Sequence, residues 1–350
     1  MATLAVHPVR QRLKEPLRAA WGELTERDLL HVRLDFGDGD FGEGEAAPLE
    51  PYDGVSMAAV RSALDVYAAV VARASPNSTH AELLAACAAE RPLPAALAAV
   101  DLALWDRAGR RTGFPVAQLI AAGAVRAVAV NATIAAIDRA GAAEAAAAAA
   151  QAGFRCLKLK VGMGDDAGRV AAVRAAAGDE MAIRVDANGA WSDPEEALAN
   201  LRRLAPAGIE LCEEPVHGVS AMRAVRTRSP VPVAMDETAA ERCAPGSGAA
   251  DAVCLKISRC GGISGLLRDA RAARAAGTKV YVASSHDGPL GVAAGIHAAA
   301  GLRASGPVAF CGLATLGFFA GMEGVLDPVQ GAIPVPDGPG LLAGYTSPSK

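Results

Sequence analysis

Residues 156–188, CLKLKVGMGDDAGRVAAVRAAAGDEMAIRVDAN, decide the fold. Two short runs, Cys156–Val161 and Ala182–Asn188, alternate their side chains with the period of two that belongs to a strand, and the alanine-rich stretch between them is helix-like. Working outward, similar short runs recur as Ala127–Ile134, Ile209–Pro215, Val231–Glu237, Ala252–Ser258, Lys279–Ser285 and Val308–Ala314, which makes eight candidate strands. Most are followed by helix-like sequence, such as Ala140–Gly153 (AGAAEAAAAAAQAG) and Asp193–Pro206 (DPEEALANLRRLAP). Eight strands alternating with helices favour a closed parallel barrel over an open sheet, and the alanine tract reads as an outer helix of strong propensity.

Nearly every run ends on polar residues. Lys160, Asp186, Glu213, Asp236 and Lys256 follow one another at intervals of 20 to 27 residues. One strand-and-helix unit of a barrel has about that length, so these side chains are expected at one mouth. Asp186, Glu213 and Asp236 from successive strands would form an all-oxygen cluster suited to Mg²⁺, with Mn²⁺ as a substitute; left bare, three such carboxylates repel. Any one of them alone is more simply a cap or a salt-bridge partner, and it is the regular spacing that favours the cluster. Lys158 and Lys160 share a strand face on one side of it, and Lys256 lies on the other. A lysine serves as a base only when its pKa falls toward the working pH, and a neighbouring ammonium together with a metal ion would push Lys160 that way. Lysines that merely neutralise the acids are the alternative. A proton next to a carboxylate is very weakly acidic, because its removal places a second negative charge on a charged group. A divalent ion stabilising the resulting enediolate, with a base in position, is the pairing that overcomes this.

The amino-terminal part has a different rhythm. The run LLHVRLDF (Leu29–Phe36) and the residues after Gly42 flank Gly-Asp-Gly-Asp at 37–40, a strong hairpin signal. Gly37, Gly39 and Gly42 also spell GxGxxG, but no helix follows, so the hairpin is preferred to a dinucleotide site. Apolar positions at helical spacing then run from Ser56 to Arg107, broken at Pro76, Pro92 and Pro94, which completes a small α+β lobe. Near the other end, residues 304–322 carry no charge, yet their glycines, proline and polar residues favour a buried barrel strand and a loop over a membrane helix.

Composition narrows the partners. The 34 Lys and Arg against 38 Asp and Glu leave a net charge of -4, which removes the electrostatic basis for gripping nucleic acid or an anionic membrane. A small carboxylate molecule fits better. The start, MATLAVHPVRQRLKEPL, meets charges and prolines before a signal-peptide core forms, so a cytoplasmic protein is expected. Seven cysteines without a CxxC pair indicate neither disulfides nor zinc; Cys156, Cys212, Cys254 and Cys311 sit in apolar runs as buried thiols would.

The motifs Lys158–Gly162 (KLKVG), Arg184–Trp191 (RVDANGAW), Cys212–Val216 (CEEPV), Ala234–Thr238 (AMDET) and Leu255–Gly262 (LKISRCGG), in this order, resemble the muconate lactonizing enzyme subgroup of the enolase superfamily, whose relatives include mandelate racemase. Ala99–Val116 (AVDLALWDRAGRRTGFPV) is similar to that subgroup's helix leading into the barrel, so the resemblance spans nearly the whole chain. It implies an α/β fold: a modified (β/α)₈ TIM barrel over residues 123–322, an α+β capping domain over 1–122, and a tail, 323–350, that returns to the cap. Position by position, it implies Asp186, Glu213 and Asp236 as metal ligands, Lys160 as the base after Lys158, and Lys256 as the opposing lysine. Asn188 and Glu237 match positions that support the ligands. Asp287 stands where many relatives have glutamate, and His286 beside it is either a substrate contact or structural.

Members of this family share the proton abstraction and then diverge. Ala309–Leu316 (AFCGLATL) and the VNATI of the first strand look like the corresponding segments of some o-succinylbenzoate synthases, and the Asp-x-Asp pair that dipeptide epimerases usually carry on the eighth strand is missing. The leading expectation is therefore a lyase performing a dehydration of that type. An isomerase is the alternative: a racemase or epimerase of an N-acylamino acid or dipeptide, or a muconate-type cycloisomerase. Cap loops around residues 17–24 and 46–54 are expected to close over the mouth, with Trp21 and Tyr52 as candidate substrate contacts or cap packing. The number of subunits stays open, a homo-oligomer among the options.

Overall fold

The chain reverses at Gly37 and Gly39, whose backbones take φ of 87° and 78°, a region costly for a residue with a Cβ. That turn joins β2 (Gly22–Asp35) to β3 (Phe41–Ala46), and β1 (Thr3–Ala19) pairs antiparallel with the other edge of β2. Gly42 answers to packing instead: a Cβ there would lie 1.9 Å from the carbonyl oxygen of Ala103 in the helix beneath. β1 runs through Pro8 and Pro16, which an edge strand tolerates because it offers one side without a ladder. In this computed structural model residues 2–19, 22–75, 77–135 and 138–345 are described.

A short turn of helix, α1 (Glu50–Asp53), precedes α2 (Met57–Arg73), α3 (His80–Glu90) and α4 (Pro94–Thr112), with breaks where the prolines placed them. Thr79 and Glu82 close a reciprocal cap at the start of α3, and Pro94 opens α4, where a missing N–H costs nothing. α4 is buried through Ala95, Ala96, Ala98, Ala99 and Ala103, small residues that let it lie between the three-stranded sheet and the next layer. After α5 (Val116–Ile120) come β4 (Ala127–Ala129), β5 (Ala132–Ile134), α6 (Arg139–Gln151), β6 (Cys156–Lys160), α7 (Asp166–Ala177), β7 (Ala182–Asp186), α8 (Pro194–Leu204), β8 (Leu211–Glu213), α9 (Val219–Arg226), β9 (Val233–Met235), β10 (Ala252–Lys256), α10 (Ile257–Cys260), α11 (Ile263–Ala275), β11 (Lys279–Ala283), α12 (Pro289–Ala304) and β12 (Ala332–Pro334). Two 3₁₀ turns, Glu237–Ala240 and Ala244–Gly246, stand where a helix would follow β9.

β5 to β11 form one parallel sheet in chain order. Side-chain alternation divides it into two surfaces. Leu157, Leu159, Ile183, Val185, Val233, Met235, Val253, Leu255, Val280 and Val282 join the core shared with the helices, whereas Leu211, Ala234, Ala252, Cys254, Tyr281 and Ala283 make a separate cluster inside.

The sheet closes through the eighth run, although not as a full strand. Ala309 and Gly312 donate to Val280 and Val282 (3.2 and 2.9 Å), Cys311 donates to Ala129 (2.9 Å), and Ser284 and Asn131 donate back to Gly312 and Cys311 (both 3.0 Å). Only a few residues of Val308–Ala314 take part, because the segment is squeezed: a Cβ on Gly312 would come within 3.0 Å of that of Ala283. The first run also divides, β4 pairing antiparallel with β12 and β5 with β6. All seven cysteines are free, and among the described residues no helix is long and apolar enough to cross a membrane. The fold is thus the expected α/β barrel with an α+β lobe, its eighth staves shortened.

Candidate functional site

Register explains which charges meet. Lys158 pairs with Arg184 and Lys160 with Asp186 between β6 and β7; Asp186 pairs with Glu213 between β7 and β8; Glu213 pairs with Ala234 on β9, two residues before Asp236. All these positions point inward, so the carboxyl ends of β6 to β10 bring three acids and three lysines into one hollow.

Lys158 Nζ lies 2.7 Å from Asp186 Oδ2 and 2.6 Å from Glu213 Oε1, one ammonium shared by two carboxylates. Lys160 Nζ donates to Asp186 Oδ2 (2.7 Å) and Asn188 Oδ1 (2.6 Å), and Asn188 passes its own Nδ2–H to Glu237 Oε1 (2.9 Å). Lys256 Nζ donates to Asp236 Oδ2 and to the Tyr52 hydroxyl, both at 2.7 Å. Asp186, Glu213 and Asp236 are 1%, 0% and 2% exposed, so these partners replace water entirely.

Burial and pairing oppose each other here. Burial alone would raise Asp186, yet the ammonium groups of Lys158 and Lys160 hold it far below the usual carboxylate range. Glu213, with only a share of Lys158, is pushed up to about 7 by burial and by Asp186 and Asp236 nearby. For Lys158 and Lys256 burial favours the neutral amine, but the facing acids outweigh it and raise both pKa values.

Glu213, Asp236 and Cys254 offer ligand atoms within 4.8 Å of one another. Burial keeps the Cys254 thiol protonated, its pKa pushed well above the ordinary value, so the available donors are hard oxygens. Asp186 joins Glu213 through the shared ammonium. A hard divalent cation would therefore meet carboxylate oxygens here, those of Glu213 and Asp236 within reach of one another and Asp186 beside them. Glu214, His217 and Glu237 also approach one another, but Glu214 already accepts from Asp236 N (2.7 Å), Thr238 N (2.9 Å), Thr238 Oγ1 and His217 Nδ1 (3.0 Å). Its work is to hold the backbone that carries Asp236.

The cap supplies one wall. Leu17, Leu49 and Tyr52 line the same cleft as Lys158, Lys160, Asp186 and Lys256, and opposite them stand Ser284, Ser285, His286, Gly312 and Thr315. His286 has φ of 57°, and burial with Arg27 and Lys160 nearby pushes its pKa down to about 3, so it is neutral. Its Nδ1 has no partner, nor do Ser285 Oγ and Thr315 Oγ1. Asp287 is buried behind His286 and pushed up to about 6. Trp21 lies outside the described residues.

Three contributors escaped the sequence reading. Tyr281 donates to Glu213 Oε2 (2.6 Å), and its inward place followed from the alternation in KVYVASS. Glu214, the second acid of CEEP, was visible as a residue but its aim was not. Arg27 bonds the carbonyls of Pro48, Ala47 (2.9 Å), Ser285 (3.2 Å) and His286 (3.2 Å), tying the cap loop to the barrel rim; no local pattern announces that.

Comparison with known proteins shows the family. Residues 1–121 match the mandelate racemase / muconate lactonizing enzyme N-terminal domain, and residues 141–345 match the family described as enolase C-terminal domain-like. N-succinyl-L-Arg/Lys racemase of Bacillus cereus is 29% identical over 311 residues, 85% of this chain and 84% of that protein. The o-succinylbenzoate synthase of Thermobifida fusca is 37% identical over 219 residues, 59% of this chain and 66% of its own. A dipeptide epimerase from Enterococcus faecalis, crystallised with Mg and L-Leu-L-Tyr, superimposes with a TM-score of 0.88 at 25% identity, covering 97% of this chain and 98% of that one.

Proposed function

We propose that this chain, which belongs to the mandelate racemase / muconate lactonizing enzyme family of the enolase superfamily, removes a proton α to a carboxylate and then expels water, the reaction type of an o-succinylbenzoate synthase. One observation carries the proton abstraction: Lys160 on β6 and Lys256 on β10 flank the three acids at the ends of β7 to β9. Mg²⁺, or Mn²⁺ in its place, held by Asp186, Glu213 and Asp236 would stabilise the second negative charge that deprotonation creates. With Lys160 as the free amine that a base must be, three acids, two ammonium groups and a dication leave a net positive charge, so the loaded site complements an anionic substrate.

In this reading Lys160 takes the α-proton and returns it to the departing hydroxide, which leaves as water. Lys256 stays protonated and steadies the developing charge, in keeping with its raised pKa, and Lys158 orders the acids. Asn188 and Glu237 keep Lys160 in place. The wall of Ser284, Ser285, His286 and Thr315, with Asp287 behind, would meet the rest of the substrate.

A second reading is favoured by the lysines standing on both sides: racemisation of an N-acylamino acid, as in the B. cereus relative. The substrate or product for which that protein and the T. fusca synthase are named bears a succinyl group in each case, which makes succinyl-bearing carboxylates the first candidates. Incubation in D₂O with Mg²⁺ and either the cyclohexadiene precursor of o-succinylbenzoate or an N-succinylamino acid tests both. Conversion of the first without solvent deuterium inverting an α-carbon supports dehydration; inversion with exchange in the second supports racemisation. Turnover of neither, or activity that survives EDTA, would overturn the reading.

A further inference from the structure

Tyr52 comes from the cap, yet it ends among the barrel's acids. Its hydroxyl donates to Asp236 Oδ1 at 2.9 Å and accepts from Lys256 Nζ at 2.7 Å, while the same ammonium donates to Asp236 Oδ2 at 2.7 Å, so the three groups close a ring of hydrogen bonds. The phenol ring is pinned between cations, with Lys256 Nζ 4.3 Å and the Arg259 guanidinium 5.0 Å from its centroid. Arg259 is itself fixed by a 2.9 Å bond to the Glu237 carbonyl.

The loop that delivers Tyr52 is built, not loose. Asp53 accepts from Leu49 N (3.0 Å) and Val55 N (2.8 Å), closing the turn on itself. Arg27 fastens the preceding residues, through the Ala47 and Pro48 carbonyls, to the rim at Ser285 and His286. Leu17, Leu24 and Leu49 pack beside the Tyr52 ring as a small apolar cluster of their own.

We infer that Tyr52 is a positioning residue of the metal site: its hydroxyl sets the orientation of Asp236 toward the cation, and so links cation binding to the docking of the cap. This rests on the reading that Asp186, Glu213 and Asp236 hold a divalent ion. A carboxylate oxygen has two lone pairs, so a donor on Oδ1 fixes the plane of the group without using up its capacity to bind a metal. Groups that orient metal ligands in this way typically contribute 10- to 100-fold in affinity. Linkage is reciprocal: if the docked cap tightens the ion, the ion tightens the cap by the same factor.

The test is calorimetric titration of Mg²⁺ into metal-stripped wild type and Tyr52→Phe, with melting curves of both in EDTA. The expected result is Mg²⁺ binding to the variant about 10- to 100-fold weaker than to wild type, with melting temperatures within about 2 °C of each other. Hydrogen exchange on the unmutated protein gives a second measurement, and amides of residues 47–55 should exchange more slowly once Mg²⁺ is added. Equal Mg²⁺ affinity in the two proteins overturns the inference, including the case where Tyr52→Phe only raises KM and Tyr52 is then a substrate contact. Exchange in 47–55 that ignores Mg²⁺ overturns it as well. A wild type that binds no Mg²⁺ fails earlier, at the cation reading itself, and takes this inference with it.

Discussion

The two ends of the same barrel both bury charge, and they do so to opposite effect. At the amino end Arg184, 1% exposed, bonds Glu210 Oε2 (2.7 Å) and the Phe310 carbonyl (2.7 Å), and its guanidinium lies 5.0 Å from the Tyr281 ring centroid. One cation meets one acid, a carbonyl and an aromatic face, and nothing is left to exchange. At the carboxyl end Lys158 is divided between two acids, and Asp186 collects two ammonium groups. Shared partners can be redistributed when a dication and an anionic substrate enter, whereas a saturated pair can only hold. Burial of charge therefore does not mark the functional end; the division of counterions does. Tyr281 spans the two, its ring beside Arg184 and its hydroxyl on Glu213.

The largest break in this comparison should come from Lys160→Ala. Loss of a general base is expected to lower kcat by about 10²- to 10⁴-fold, with the melting temperature little changed, as read by steady-state kinetics and calorimetry. Arg184→Met should do the reverse: its loss leaves the Phe310 carbonyl unpaired and costs about 1 to 2 kcal/mol in urea unfolding, while turnover per folded molecule is kept. Equal effects of both variants on turnover would end the distinction.

A third measurement reads the contact between cap and barrel at Glu45. Glu45 accepts from Gly288 N (2.7 Å) and is pushed up to about 8 by burial and by Asp287, which is itself raised to about 6. Both folded-state values exceed those of the unfolded chain, so the folded protein binds more protons between them. The contribution is fully present below about pH 4 and is lost as pH rises through about 6 and then 8, so unfolding free energy should decline across that window. Glu45→Gln, followed by urea titrations at several pH values, should flatten the decline; a slope of the same size would show that another group carries it. The smallest expected effect is that of Tyr281→Phe, which removes one neutral donor from Glu213 and should cost about 1 kcal/mol of stability, with kcat/KM falling by less than tenfold.

Local pattern carried much of this. The period of two in CLKLK placed Lys158 and Lys160 on one face, and the spacing of strand units placed Asp186, Glu213, Asp236 and Lys256 on the same rim. The hairpin at Gly37 and Gly39 was as plain, since only a few residues tolerate such a backbone. The eighth run was harder to read, because AFCGLATL has a strand's composition while the narrow gap beside Ala283 allows it only a few ladder bonds.

Sequence by itself determined the kind of barrel, the identities of the acids and lysines at its rim, and the sides of the strands they occupy, because each depends on periodicities a few residues long. Tertiary structure alone decided which ammonium serves which carboxylate, the reach of Tyr52 to Asp236 and Lys256, and the clamp of Arg27 on the rim. The contacts of Tyr52 and Arg27 join residues from 184 to 259 positions apart, and they exist only once the cylinder has closed and the cap has settled on it.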